Sequence, residues 1–382
     1  MALLCARSAG GRPERISTRI VFFIAGFGVA AWAPLVPFAK ERAGIGEATL
    51  GLLLLCLGAG SIVTMPIAGA LAARFGCRGV IIVSTVVFCL ALPPLAILSS
   101  PILLAAVLLV FGAALGSIDV AMNIQAVIVE RAGGRSLMSG FHGLYSLGGI
   151  AGAACMTAVL GVGGSPFVAA LCVVAGIVVA LVLAAAHLLP YGSQSDGPSF
   201  VFPRGVVLFI GTLCFVAFLS EGAVLDWSAV FLTSARGIGP AYAGLGYAAF
   251  SLSMTVCRLT GDHIVQRFGG ITVIVFGGFC AAVGFAVATL VPLWQVALAG
   301  YGLIGVGCAN IVPVLYSTAG RQTVLPEHSA VSAITTLGYA GILAGPAAIG
   351  FVAQVSGLST ALLILALLQI GVAASARYLP CG

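Results

Sequence analysis

Gly44-Ile45-Gly46 and, further along, Arg74-Phe75-Gly76 return as Gly237-Ile238-Gly239 and Arg267-Phe268-Gly269. Every residue is displaced by the same 193 positions, the difference between 237 and 44. Ala48, Gly51 and Leu52 meet Ala241, Gly244 and Leu245 at that offset. Single glycine and leucine matches are cheap in an apolar chain, but six spaced matches in register are not. The offset is about half of the 382 residues, so the sequence reads as a duplication.

Composition decides what surrounds the two halves. The chain is 61% hydrophobic and 7% charged, with a mean hydropathy of +1.21, whereas a soluble domain carries roughly 25% charged residues. It cannot cover its own surface with polar groups and must be solvated by lipid. Two like halves in such a chain are a common construction of secondary transporters. Walker-type phosphate loops, zinc-protease helices and paired-cysteine spacings are missing, so no metal and no cofactor is expected. The net charge of +6 comes from arginines scattered at segment ends, which argues against a nucleic-acid partner. Most of the eleven cysteines, such as Cys56, Cys89, Cys172, Cys214 and Cys280, sit inside apolar runs and read as small packing residues. Arg7, Arg12, Arg15 and Arg19 precede a first apolar run that exceeds a signal peptide's core and lacks a cleavage site. That run reads as a retained first helix.

Twelve apolar segments are each long enough to cross roughly 30 Å of hydrocarbon, which takes about 20 helical residues. They cover 18–40, 48–73, 79–99, 101–129, 137–161 and 165–189, then 205–233, 241–266, 270–291, 293–318, 328–354 and 357–378. The Gly-, Ser- and Pro-rich connector from Tyr191 to Pro203 divides them into six and six. The expected fold is therefore all-α: a six-helix bundle over 1–189, a short linker over 190–204 and a second six-helix bundle over 205–382. If the N-terminus is cytoplasmic, that side holds Arg7, Arg12, Arg15, Arg19, Arg74, Arg78, Arg131, Arg135, Arg204, Arg267, Arg321 and Arg377, against Lys40, Arg42 and Arg236 opposite. The positive-inside rule then places both termini and the connector around Ser195 in the cytoplasm.

The stretch Gly69-Ala70-Leu71-Ala72-Ala73-Arg74-Phe75-Gly76-Cys77-Arg78 resembles the loop between helices two and three of the major facilitator superfamily. Gly69, Leu71, Arg74, Gly76 and Arg78 match the family pattern; Ala73 replaces its acidic residue and Cys77 one of its arginines. Asp119-Val-Ala-Met-Asn123, Phe141-His142-Gly143, Glu221-Gly222-Ala223 with Asp226-Trp227-Ser228, and Gly338-Tyr339-Ala340-Gly341 are similar to a bacterial branch of MosC-like and fucose-permease-like carriers. The resemblance spans the chain. It implies two pseudo-symmetric bundles, a cavity lined by segments one, four, seven and ten, and a gating role for Gly69, Arg74, Gly76 and Arg78.

Charges inside a span cost at least ~2.5–3.5 kcal/mol each at the bilayer centre. Asp119, Glu221, Asp226 and Arg258 lie within segments, with Asp262 nearer an end. Asp119 and Asn123 are four apart on one helical face. The only other asparagine, Asn310, lies in segment ten, the repeat partner of segment four. Solute binding is thus expected at Asp119, Asn123 and Asn310, with Trp32 and Tyr339 as aromatic additions. Hydrogen-bond cross-links between helices are the plainer reading of the amides. Glu221 has no cation at helical spacing, which makes it, with Asp119, a candidate for proton coupling. Arg258 and Asp262 are four apart and read as a structural or gating ion pair. Asp226 beside Trp227 reads as a solvated interface position, and His142 as a hydrogen-bonded loop residue. Drug and metabolite antiporters of the superfamily that the chain resembles carry a Gly-rich stretch ending in Gly-Pro on helix five; here the pair stands at Gly345-Pro346 on segment eleven, so the resemblance tilts the reading from efflux antiport to uptake symport.

The expectation is a monomer-competent, multi-pass carrier in the cell's inner membrane, moving a small polar, sugar- or cyclitol-like solute by proton-coupled symport. The alternatives are a proton-driven efflux antiporter of drugs or metabolites and, more remotely, a non-transporting membrane sensor or assembly protein. No enzymatic constellation is present, so catalysis is not expected. The partners expected are the solute, protons and lipid.

Overall fold

Long apolar runs free of internal charge form helices here because a lipid-solvated backbone must satisfy its own N–H and C=O groups. The computed structural model describes residues 10–192, 202–239, 242 and 244–380. Ser195 and most of the connector, with Arg7 and Ala241, lie outside the described residues. The helices are α1 (Arg12–Trp32), α2 (Val36–Ala43), α3 (Glu47–Leu95), α4 (Pro101–Gly133), α5 (Met138–Gly161), α6 (Pro166–Ala185), α7 (Val206–Arg236), α8 (Leu245–Phe268), α9 (Gly270–Leu290), α10 (Trp294–Cys308), α11 (Ile311–Arg321), α12 (Glu327–Ser356) and α13 (Leu358–Ser375). No strand occurs among the described residues.

These thirteen helices make twelve spans. α1 and α2 continue one another through a 3-10 turn at Ala33–Leu35 that carries Pro34. α10 and α11 are likewise two pieces of one span. α3 is two spans that meet at Gly76, where φ is 80° and ψ 157°; the sequence placed a wider break there, from Gly76 to Gly79. Its repeat partner Gly269 has φ 81° and ψ 150° and separates α8 from α9. Only glycine adopts that backbone freely, which accounts for a glycine at this position in both halves. Among the described residues, ten runs are long and apolar enough to cross a membrane. α8 is less apolar because it carries Arg258, Asp262, His263 and Arg267, yet its 24 residues span about 36 Å at 1.5 Å each.

The chain forms two compact units. Unit 1 holds the described residues up to Arg135, then Leu144–Phe202 and Leu325–Ala333; unit 2 holds Ser136–Gly143, Pro203–Val324 and Ile334–Gly382, excepting residues outside the description. The start of α5, through Gly143, thus belongs to unit 2, and that of α12, through Ala333, to unit 1.

Within each unit the repeat is visible as packing. In unit 1, α3 lies along α4, and a Cβ added at Gly112 would strike the Leu57 carbonyl oxygen. In unit 2, α8 lies against α10, and a Cβ at Gly305 would strike the Phe250 carbonyl oxygen. Both contacts shift by 193. Arg42 Nη2 donates to Leu95 O at 2.8 Å and Arg236 Nη2 to Ala288 O at 3.2 Å; the two carbonyls are 193 apart, and the arginine of unit 2 sits one residue beyond the equivalent of Arg42.

Packing is inverted relative to a soluble protein. Leu52, Val63, Leu90, Val182, Phe276 and Leu367 point outward, each more than 60% exposed, whereas Asn123, Gln125, Thr335 and Gln369 are fully buried. Lipid solvates the first set and would leave the polar atoms of the second without partners. Cores of close-packed aromatics sit inside each unit: Phe88 stacks on Phe111 at 4.2 Å in unit 1, and Phe231, Phe285 and Tyr301 fill unit 2.

Candidate functional site

In unit 1, the 3.6-residue helical repeat places Asp119 and Asn123 one turn apart on α4, at 7% and 0% exposure. Asn123 Nδ2 donates to the Asp119 carbonyl at 2.9 Å and reaches its carboxylate at 3.4 Å. Asn123 Oδ1 is left without a partner. Among the described residues no cation lies within ion-pair distance of Asp119. Trp32, buried where α1 meets the 3-10 turn, has an unpartnered Nε1.

Sequence reasoning passed over Gln125, two residues beyond Asn123. Its Nε2 donates to Thr18 Oγ1 at 2.9 Å and its Oε1 accepts the Leu189 amide at 3.1 Å. One buried amide therefore joins α1, α4 and the segment after α6. Its signal in the sequence is a second amide two residues beyond Asn123 in an apolar run.

Unit 2 corrects the reading of Glu221. It is not isolated: Arg258 Nη2 of α8 lies 3.1 Å and 3.3 Å from its two carboxylate oxygens. The partners are 37 residues apart on different helices, so helical spacing could not pair them. Arg258 Nε also donates to Ala309 O at 3.1 Å, the carbonyl freed where α10 ends. A cation is favoured at the negative end of a helix dipole. Asn310 Nδ2 returns a bond to Cys257 O at 3.3 Å, so α8 and the break between α10 and α11 are tied reciprocally. Asn310 Oδ1 is buried and unpartnered, lying where any Cβ at Gly261 would meet it.

Asp262, expected as the mate of Arg258, accepts the Gly140 amide at 2.9 Å. It brings negative charge to the start of α5, where a helix dipole favours it. Tyr339 on α12 meets Phe218 edge-on at 6.4 Å. Gln369, fully buried on α13, donates to Ser220 Oγ at 2.8 Å, beside Glu221; the sequence reading had missed it. His142 is no loop residue: it is buried inside α5 with its ring 5.6 Å from that of Tyr316. Asp226 is exposed.

At the arginine-rich end of unit 1, Arg74 and Arg78 are exposed, and Arg74 lies over the Phe75 ring at 5.1 Å. The amides of Cys77 and Arg78 donate to Tyr191 O at 3.3 Å and Leu189 O at 2.8 Å, so the segment after α6 straps down the bend at Gly76. Gly69 faces Ser332, whose Oγ donates to Met65 O at 2.8 Å. Ala73 supplies no charge here, but Glu327, in the first turn of α12, pairs with Arg131 at 2.7 Å.

Known proteins can be set beside this geometry. A model described as Major Facilitator Superfamily matches residues 20–225. An uncharacterized MFS-type transporter of Yersinia pestis is 55% identical, covering 96% of each chain. Membrane protein MosC of Rhizobium meliloti is 31% identical over 90% of this chain and 84% of its own. Among solved structures, the fucose:proton symporter FucP of E. coli superposes with a TM-score of 0.80 at 16% identity, covering 97% of this chain and 99% of that one.

Proposed function

The chain belongs to the major facilitator superfamily and is a multi-pass membrane transporter, and from that premise we propose that it is a proton-coupled symporter of a small polar, sugar- or cyclitol-like solute. Both termini are cytoplasmic in this reading, as the arginine asymmetry argues, and the membrane is the cell's inner membrane.

Asp119 carries the proton. The observation behind this assignment is its burial without a cation, with the Asn123 amide as its neighbour. An ionised carboxylate in that setting costs several kcal/mol, and a proton removes the cost. Glu221, the other coupling candidate, has Arg258 as its counter-ion and is assigned to gating through the break between α10 and α11. The unpartnered oxygens of Asn123 and Asn310 suit a solute rich in hydroxyl donors, with Trp32 and Tyr339 available to face an apolar ring surface. Gly69, Arg74, Gly76, Arg78 and Asp262 belong to the gate at the arginine-rich end. The likeness to the fucose:proton symporter supports the fold of such a carrier.

Counterflow and gradient-driven uptake in proteoliposomes test the assignment. Asp119→Asn, a permanent mimic of the protonated form, is expected to exchange solute at near wild-type rates while losing accumulation against a gradient. Gradient-dependent accumulation by that variant would remove Asp119 from coupling. Proton-driven efflux in place of uptake would make the carrier an antiporter.

A further inference from the structure

The corner of unit 2 that carries Arg236 differs in kind from its repeat in unit 1. In unit 1 the positions are apolar and closed: Leu35, Leu53, Ala96 and Leu108 are all buried. Arg42 beside them has its Nε on Leu98 O and its Nη2 on Leu95 O, both at 2.8 Å. At the 193-residue offset unit 2 has Ser228, Gly246, Thr289 and Tyr301.

Those residues converge. Ser228 Cβ and the Tyr301 ring each lie 3.2 Å from the place a Cβ would occupy on Gly246, so α7, α8 and α10 meet there. Gly300 sits against the backbone of Ala288, which brings in α9 and Thr289. Arg236 donates from Nη2 to the Ala288 and Thr289 carbonyls, and its guanidinium lies 4.7 Å over the Phe231 ring.

What they offer is unused. Ser228, Thr289 and Tyr301 are at 1%, 6% and 0% exposure, yet Ser228 Oγ, Thr289 Oγ1, Tyr301 Oη and Arg236 Nε have no hydrogen-bond partner. No carboxylate lies within ion-pair distance of Arg236 among the described residues. Buried polar atoms in native proteins are overwhelmingly paired, so four orphans in one corner call for an occupant. Three hydroxyls and a guanidinium N–H can all donate, and the corner's net charge is positive. The guanidinium is the one full charge in the corner, and a small anion both balances it and accepts from all four donors. Relative to unit 1, Ser228 and Gly246 replace two leucines, while Thr289 and Tyr301 replace Ala and Leu with hydroxyl-bearing side chains.

We propose that Arg236, Tyr301, Ser228 and Thr289 form a binding site for a small inorganic anion of the size and charge of chloride. The site lies within one unit and does not depend on the transport reading.

The probes are chloride and bromide, with gluconate as the bulky control at equal ionic strength. Ligand binding to the folded state raises apparent stability, so the midpoint of thermal unfolding is expected to be on the order of 2 °C higher in either halide than in gluconate. Tyr301→Phe and Ser228→Ala should each shrink that difference while still unfolding cooperatively in gluconate. Crystals of the unaltered protein grown in bromide should show an anomalous peak between Arg236 and Tyr301. Equal midpoints in all three salts, or a bromide crystal with only water at this corner, would overturn the proposal.

Discussion

α4 and the α10–α11 pair are repeat partners, yet one is a continuous helix of 33 residues and the other is broken at Ala309 and Asn310. The difference lies in what faces the break. At the 193-residue offset, Arg258 and Asn310 of unit 2 stand where unit 1 has Met65 and Ser117. Ser117 returns its hydroxyl to its own helix, at Ala113 O, 2.8 Å away. Asn310 leaves the helix with φ −110° and ψ 0° and bonds across to α8, while Arg258 takes the carbonyl that the break frees. A helix can be opened inside a membrane only where a neighbour satisfies the backbone it exposes. One half of the duplication thus carries an unbroken helix, and the other a charged joint.

The largest effect should come from giving the joint its unit-1 residue. Arg258→Met leaves Glu221 buried without its cation and Ala309 O without a donor, and should destabilise the protein by about 3–5 kcal/mol. Thermal unfolding in detergent would read this as a fall in midpoint and in folded yield. Adding Glu221→Leu should restore much of the loss, because removing both partners avoids the orphaned charge. A double variant as unstable as the single one would mean that the ion pair is not what holds the joint.

The contacts of Asp262 in unit 2 and Ser332 in unit 1 sharpen the comparison further. Asp262→Ala removes a charged acceptor from the Gly140 amide and should cost about 1.5–3 kcal/mol. Gly112→Ala and Gly305→Ala test the opposite claim, that packing around the joint is alike in both halves. Each forces a Cβ into a neighbouring carbonyl and should destabilise by roughly 1–3 kcal/mol, to a similar degree. If only one of them is tolerated, the shared packing is not truly equivalent. The smallest effect belongs to Ser332→Ala, which removes a neutral bond to Met65 O at the position opposite Gly69 and should cost roughly 0.5–1.5 kcal/mol. If Ser332→Ala proved worse than Asp262→Ala, unit 1 would be the more tightly latched half.

The sequence by itself determined the lipid-solvated class, the twelve spans and the duplication. Each rests on a property local to a segment: hydropathy over about 20 residues, or a glycine that must adopt a positive φ, as at Gly76 and Gly269. The closeness of Asp119 to Asn123 was legible for the same reason, since both sit on one helix. Which carboxylate holds Arg258, what Asp262 caps, and where Gln125 and Glu327 find their partners were decided only by tertiary structure. Those pairs join helices far apart in the chain, and a partner there depends on how each helix is rotated about its axis and which neighbour it is packed against. Spacing along the sequence carries no trace of either. The same limit hid the corner at Arg236, where Ser228, Gly246, Thr289 and Tyr301 look unremarkable one at a time and form a buried polar cluster only when four helices bring them together.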